Sequence, residues 1–155
     1  MIAVADIDPR DGDALELLDS LSEMLAMITG DSGRGSFDPA DVESERAAFV
    51  LARDESGQAV GCGALRPLER DIAELKRMFA RPGTKGVGAS VLKFLEQRAA
   101  ALGYREICLE TRLVNARAVG FYERHGYSRI PNFGKYVGRP EAVCFSKVVP
   151  EGLAG

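Results

Sequence analysis

The sequence predicts a single α+β domain with a central mixed, mostly antiparallel sheet and helices on both faces. Short strand-like runs occur along the whole chain, and helical patterns interrupt them. One helical pattern lies between two strand-like runs, which implies that those two strands are parallel neighbours joined by a right-handed crossover. With 155 residues, the chain has the length of one domain with one core, so we expect a single domain over 1–155.

The composition is typical of a globular protein. Apolar residues make up 46% of the chain and charged residues 28%, and no apolar run approaches the roughly 20 residues that span a bilayer. The segment Met1 to Arg10 carries Asp6 and Asp8 and lacks the basic start of a signal peptide. A net charge of −3 argues against a nucleic-acid partner or an anionic membrane. We therefore expect a cytoplasmic protein with neither kind of partner.

Cysteine and histidine usage gives no sign of a metal site. The chain has one histidine, and none of its three cysteines forms a CxxC pair. Each cysteine lies within an apolar strand-like run, which predicts small buried side chains and no metal: Cys62, Cys108 and Cys144.

The first third of the chain predicts a strand, a helix and a loop. Ile2–Ala5 is a short apolar run, and Asp11–Ile28 carries apolar residues at three- and four-residue spacing. Gly30–Gly35 reads as a flexible loop. Asp38 is a candidate N-cap, followed by Pro39, for a short helix that we expect to end near residue 45.

Three strands are predicted next. Ala47–Arg53 and Gln58–Leu65 flank a tight polar turn and should form an antiparallel hairpin. Ile72–Ala80 alternates, which predicts a strand with Glu74 and Met78 on one face.

The second half predicts two helices, each closed by a glycine, and three more strands. Gly86–Leu102 is the clearest helix, and Ala116–His125 is the other. The remaining strands are predicted at Ile107–Glu110, Tyr127–Ile130 and Ala142–Val148.

A glycine-rich turn precedes the first of these two helices. Residues 82–89 read PGTKGVGA, and glycines here let several backbone amides approach an anion at a helix N-terminus. A Walker turn is excluded because GTKGVGAS does not supply GxxxxGK followed by Ser or Thr, and a dinucleotide fingerprint is excluded because its third glycine is absent. Taken alone, the turn fits either a diphosphate site or a strand-to-helix connection without a ligand.

The turn and its surroundings resemble the GNAT superfamily of N-acetyltransferases. Residues 74–104, ELKRMFARPGTKGVGASVLKFLEQRAAALGY, resemble its motif A, and residues 109–127 resemble its motif B in the right order and spacing. The resemblance implies the GNAT fold, in which a parallel, splayed strand pair surrounds the cofactor. One departure concerns Gly83 and Thr84, which stand where the family usually has Arg or Gln followed by Gly, so Arg81 or Lys85 would have to compensate.

The resemblance implies acetyl-coenzyme A as the cofactor. The backbone of Met78–Ala80 would pair with the pantetheine arm like an added strand. Amides of the glycine-rich turn would hold the pyrophosphate, and Asn115 would bind the cofactor arm unless it serves only as an N-cap. The implied cofactor-binding residues are Met78, Phe79, Ala80, Lys85, Gly86, Val87, Gly88, Ala89, Asn115, Ala118 and Tyr122.

The resemblance also implies direct attack of a neutral amine on the thioester. Tyr122 would act as the general acid toward the leaving thiolate, and an amide of Met78 or Phe79 would stabilise the charge that develops on the carbonyl oxygen. Glu74, an acidic residue inside an apolar strand, is the candidate base and substrate contact. The alternative for Glu74 is an ion pair with Lys76 or Arg66, and the alternative for Tyr122 is a packing role.

The acceptor is left open by the sequence. Residues 130–147, IPNFGKYVGRPEAVCFSK, resemble a bacterial GNAT subgroup, and Phe133 and Tyr136 either close over the acceptor pocket or serve only in packing. We expect a small primary amine, such as an amino acid or a polyamine. A protein N-terminus, a regulatory acetyl-coenzyme A-binding module without turnover, and a homodimer remain alternatives.

Overall fold

Seven strands form one sheet in the computed structural model, which describes residues 1–149 of the chain. The spatial order is β1-β2-β3-β4-β5-β7-β6, and all neighbours are antiparallel except β4 and β5. The predicted mixed, mostly antiparallel sheet is therefore confirmed. The strands are β1 Ala3–Asp6, β2 Ala48–Arg53, β3 Ala59–Pro67, β4 Ile72–Ala80, β5 Glu106–Arg112, β6 Ser128–Ile130 and β7 Ala142–Val148.

Three α-helices lie on the two faces of the sheet: α1 Gly12–Thr29, α2 Val87–Ala101 and α3 Ala116–Arg124. The apolar stripe of α1 packs with Phe49 and Phe79 on one face. Helices α2 and α3 pack on the other face, around Leu65 and Ile107. The prediction of helices on both faces is confirmed. Among residues 1–149, no helix has the length and apolarity needed to cross a membrane.

Short 3₁₀ helices occur in the predicted loop after α1 and in place of the predicted short helix after Asp38. Asp38 caps a helix as predicted, but that helix is a 3₁₀ turn, Pro39–Val42, and it ends before the predicted residue 45. Residues 43–45 are exposed, so no packing against the core supports a longer helix. The predicted loop at residues 30–35 runs into a second 3₁₀ turn, Arg34–Ser36. The three cysteines are free and buried, as predicted.

Strand β4 breaks its alternation at Arg77. This residue has a φ of 54°, and the register between β3 and β4 shifts opposite it, as in a β-bulge. Beyond the bulge, Met78 packs on the α2 side together with Leu75, while Phe79 packs on the α1 side. The prediction that Glu74 and Met78 share a face is therefore wrong, because the inserted residue reverses the order of the faces.

The parallel pair β4–β5 separates after the third residue of each strand. Three residue pairs join the two strands, the last being Glu74 with Cys108, yet β4 continues to Ala80 and β5 to Arg112. The facing edges of both strands thus have no strand partner there within residues 1–149. The splayed strand pair that the sequence predicted is confirmed, and the gap forms the floor of a cleft.

Candidate functional site

A cleft of about 540 Å³ opens where β4 and β5 diverge. Its walls are the C-terminal half of α1, the ends of the two strands, the first turn of α2, and one side of α3 along its length. Of the predicted cofactor-binding residues, all but Lys85 line this cleft: Met78, Phe79, Ala80, Gly86, Val87, Gly88, Ala89, Asn115, Ala118 and Tyr122. Lys85 is exposed and is not part of the lining.

The glycine-rich turn presents backbone to the cleft. Gly86 is the N-cap of α2 with a φ of 74°, which an L-residue with a side chain rarely adopts, and no side chain caps this helix end. A Cβ at Gly88 would lie 3.2 Å from the Phe121 ring of α3, so a glycine keeps the two helices close. The unpaired amides and partial positive charge of the first turn of α2 therefore face the cleft, where they can stabilise an anion.

Five arginines add full positive charge around the cleft. Arg81, Arg117 and Arg124 line it, and so do Arg77 and Arg112 on the two diverging strands. Arg81 also donates to the carbonyl of Ala59 and pairs with Glu16, so it is held in place, and it supplies a charge near the turn that Lys85 does not. Sequence reasoning missed Arg117 and Arg124, although their seven-residue spacing places them on one face of a helix.

The side chain of Tyr122 reaches the cleft from the core. Only 7% of it is exposed, and its ring packs against Tyr127 and Phe145. Burial raises the pKa of Tyr122 far above that of a free phenol. The phenol is therefore protonated at every physiological pH, which keeps a proton donor in the cleft.

Asn115 has the capping role that the sequence left as an alternative. Its Oδ1 accepts a hydrogen bond from the amide of Ala118 at 3.3 Å, and this fixes the side chain at the N-terminus of α3. The residue also lines the cleft, so its amide nitrogen remains able to donate to a ligand.

The bulge of β4 is tied to α1 by the Arg77 side chain. Its guanidinium donates to the carbonyls of Leu18 and Ser32 and to the hydroxyl of Ser22. These contacts hold a non-glycine residue in the left-handed region, which costs energy and which surrounding structure must stabilise. The bulge changes the direction of the following backbone, where the predicted charge-stabilising amides of Met78 and Phe79 lie.

A second cavity, of about 650 Å³, lies beside the cleft on the α1 side of the sheet. The two 3₁₀ turns, the ends of β3 and β4, and residues 133–136 enclose it. It contains the three residues that were predicted to contact the acceptor: Glu74, Phe133 and Tyr136. Ser36 lines both cavities, so the two spaces meet at this residue.

Glu74 is held in an ion-pair network within this second cavity. Its side chain is 2% exposed, and Nε and Nη2 of Arg66 lie 3.0 and 2.9 Å from its Oε1. Nζ of Lys76 lies 3.9 Å from its Oε2. Arg66 in turn pairs with Asp41 at 2.6 Å. Both ion pairs that the sequence offered as alternatives for Glu74 are therefore present.

Glu110, on β5, is a second acidic residue at the site, and sequence reasoning missed it. It lines the cleft together with Tyr122, and its side chain is 13% exposed. Nε of Arg112 lies 3.4 Å from its Oε2 but without hydrogen-bond geometry, and no group within residues 1–149 donates to that buried oxygen. Burial raises the pKa of Glu110 despite the nearby charge of Arg112. The sequence signal was an acidic residue at the end of an apolar strand.

Comparison with known proteins identifies the family. The model of the acetyltransferase (GNAT) family matches residues 16–127, which is more than half of the chain. An "IAA acetyltransferase" of Azospirillum brasilense is 28% identical over 149 residues, covering 94% of this chain and 97% of that protein. The uncharacterized N-acetyltransferase YjgM of Escherichia coli is 31% identical over 114 residues, covering 66% and 68%.

A solved structure agrees over nearly the whole chain. The protein, from Klebsiella pneumoniae, has a provisional assignment as an acyl-CoA N-acyltransferase. It superposes with a TM-score of 0.81 at 26% identity, and the match covers 96% of this chain and 98% of that one. The family match includes β4, the glycine-rich turn and α3, which together build the cleft. The chain therefore belongs to the acetyltransferase (GNAT) family and is an N-acetyltransferase.

Proposed function

We propose that this N-acetyltransferase moves an acetyl group from acetyl-coenzyme A to the primary amine of a small molecule. The observation that carries the proposal is the cleft, which brings together a backbone anion cradle, a buried phenol and a buried carboxylate: Gly86 and Gly88, Tyr122, and Glu110. The adjoining cavity provides a separate space for an acceptor.

The residues of the cleft fit this donor. The first-turn amides of α2 and the charge of Arg81 would hold a pyrophosphate, and a side chain at Gly88 would disturb this cradle by pressing on Phe121. The open edge of β4 at Met78–Ala80 would pair with an extended arm. Acetyl-coenzyme A, when bound, supplies the acetyl group as an activated thioester.

Tyr122 would donate a proton to the departing thiolate. Its phenol lies in the cleft, makes no hydroxyl hydrogen bond within residues 1–149 that would compete for the proton, and stays protonated because of its burial. An amide of Met78 or Phe79, next to the bulge, would stabilise the negative charge that develops on the carbonyl oxygen.

Two carboxylates compete for the role of base. Glu74 is the residue that the sequence predicted, but it lines the acceptor cavity and is engaged by Arg66. Glu110 lines the same cleft as Tyr122, and burial raises its pKa, which brings a carboxylate closer to the range of an effective general base. We infer that Glu110 takes the proton from the amine, directly or through water, and that Glu74 orients the acceptor side of the site.

Release of free thiol from acetyl-coenzyme A, measured over a panel of primary amines, tests the function. We expect acetylation of at least one small amine, with a loss of about 100-fold or more in kcat for Tyr122→Phe. Binding of coenzyme A without turnover on any amine would favour a regulatory module instead. Failure to bind coenzyme A would overturn the proposal.

The pH dependence of kcat/KM separates the two carboxylates. If Glu110 is the base, Glu110→Gln removes the acid limb of the profile, whereas Glu74→Gln lowers activity but leaves that limb in place. The opposite pattern would assign the base to Glu74, and a limb that survives both substitutions would exclude both residues.

A further inference from the structure

We propose that Lys76, Lys135 and the hydroxyl of Tyr136 form a carboxylate-binding subsite, so that the acceptor is an amino acid rather than a polyamine or a simple amine. The inference rests on the proposed function, since it names the acceptor class of the same site. It is carried by the position of two lysines at the junction of the two cavities.

The two ammonium groups flank one tyrosine ring. Nζ of Lys76 and Nζ of Lys135 each lie 5.6 Å from the centre of the Tyr136 ring. Lys76 is 9% exposed and donates to the Tyr136 hydroxyl at 2.9 Å. Lys135 donates to the hydroxyl of Ser36 at 2.9 Å, and Ser36 lines both cavities. The three polar groups thus lie where the cleft and the acceptor cavity meet.

Most other charges of the acceptor cavity are already paired with one another. Arg66 binds both Glu74 and Asp41, and Arg34 pairs with Asp19 outside the cavity. The carboxylate of Asp38 caps the 3₁₀ turn that follows it. A polyamine would need acidic groups that are still available in the acceptor cavity, and there Arg66 holds both the buried Glu74 and the partly exposed Asp41.

The two lysines, in contrast, have no carboxylate oxygen at hydrogen-bond distance within residues 1–149. The nearest carboxylate oxygen to Lys76 Nζ, on Glu74, is 3.9 Å away, and within residues 1–149 no carboxylate lies within 4.0 Å of Lys135 Nζ. Burial lowers the pKa of Lys76 to about 8, so at neutral pH its ammonium is charged but poorly solvated. An anionic group on the acceptor would supply the missing charge and hydrogen-bond acceptors.

This arrangement of the lysines would position both the carboxylate and the amine of an amino acid. Lys76 lines the cleft beside Glu110 and Tyr122, so an anion bound there leaves the neighbouring amine in the cleft. The side chain would then extend into the acceptor cavity, where Phe37 and Phe133 offer apolar surface. A decarboxylated amine would place no charge near the lysines.

Binding and turnover of matched pairs test the subsite. Amino acids and the amines that result from their decarboxylation, such as phenylalanine with phenethylamine and lysine with cadaverine, are titrated calorimetrically into the enzyme in the presence of coenzyme A. We expect the amino acids to bind at least about tenfold more tightly, as hydrogen bonds between charged partners predict. Thiol release from acetyl-coenzyme A should show the same preference in kcat/KM.

Substitutions of the subsite residues test whether the preference for amino acids over amines comes from the lysines. Lys135→Met, which alters an exposed side chain, and Tyr136→Phe, which keeps the buried ring, should each reduce it severalfold, and Lys76→Met should abolish it. Lys93→Met, on the exposed face of α2, is the matched control and should retain it. Equal or tighter binding of the amines, or an unchanged preference in Lys135→Met and Lys76→Met, overturns the subsite.

The two proposals can fail separately. Acetylation of amines and amino acids with equal efficiency refutes the subsite and supports the acetyltransferase activity on small amines. Preferential binding of amino acids without thiol release supports the subsite and refutes the proposed turnover.

Discussion

Replacing Glu110 by glutamine should stabilise the protein at neutral pH while it impairs catalysis. Burial raises the folded-state pKa of Glu110 above its ordinary value of 4.5. The folded protein therefore loses stability as the pH rises from the unfolded-state pKa through the higher folded-state pKa, because a charge must be held in a poorly solvated place. Below the unfolded-state pKa the group is neutral in both states and this cost is absent.

The size of the effect follows from the surroundings of the carboxylate. A buried acceptor without a hydrogen bond costs about 1–3 kcal/mol, and more when it is charged. Glutamine removes the charge, but it keeps polar atoms at the same place and gives up the attraction of Arg112, 3.4 Å away. We therefore expect a net gain of about 1 kcal/mol, which for a domain of this size raises Tm by about 2–4 °C.

Thermal unfolding of the wild type and Glu110→Gln at about pH 4 and about pH 8 measures this gain. The gain should be present at the higher pH and vanish at the lower one. Glu123→Gln, on the exposed side of α3, is the matched control and should change Tm at neither pH. A lower Tm of Glu110→Gln at the higher pH, or the same gain at both, would refute the reasoning.

Three further substitutions test the cleft and its supports. Tyr122→Phe should leave the calorimetric affinity for coenzyme A unchanged, because it removes one hydroxyl from a side chain that is held by packing, whereas kcat falls. Gly88→Ala should weaken coenzyme A binding severalfold by calorimetry, because its Cβ lies 3.2 Å from Phe121. Arg66→Met should lower the free energy of unfolding in urea by about 3–5 kcal/mol, because it leaves Glu74 buried without its main partner.

Two control variants, and a contradicting outcome for each prediction, complete these tests. Gly12→Ala adds a methyl group where nothing lies within 4 Å, and Arg70→Met alters an exposed arginine, so both should be nearly silent. Weaker coenzyme A binding in Tyr122→Phe would indicate a binding role for the hydroxyl. Unchanged binding in Gly88→Ala would exclude the proposed cradle, and a loss below about 1 kcal/mol in Arg66→Met would show that Glu74 does not depend on the arginine.

The cleft residues that we propose as the donor site have local sequence signals. A glycine that must adopt a φ of 74°, a helix that follows it at once and a strand that precedes it all lie within residues 72–101. Backbone amides and helix ends depend on neighbouring residues, so a continuous stretch of sequence specifies them. Lys85 departs from this pattern, because a local signal does not fix the direction of a side chain on an exposed turn.

The cavity that we propose for the acceptor depends on contacts between distant segments. Lys76 meets Tyr136 across 60 residues, and Arg66 meets Asp41 across 25. The sequence offered Arg66 as a partner of Glu74, and the antiparallel register that places them opposite each other fits that choice. Glu110 and Tyr122 line the cleft, whereas Glu74 lines the second cavity. The sequence did not indicate this separation, because it depends on which face of β4 carries Glu74.

The bulge at Arg77 explains why the regular alternation of side chains along β4 ends just before Met78 and Phe79, the residues whose amides are expected to stabilise charge. Regular alternation would point Phe79 to the same face as Leu75, whereas the inserted residue turns it toward α1 and leaves Met78 beneath α2. A left-handed arginine is unfavourable on its own, so the Arg77 contacts to α1 and to Ser32 are part of what keeps the strand open. Local inconsistency of this kind is expected at functional sites, where the fold accepts strain to direct backbone amides. Arg77 thus breaks the alternation that the sequence predicts and also helps to shape the cleft.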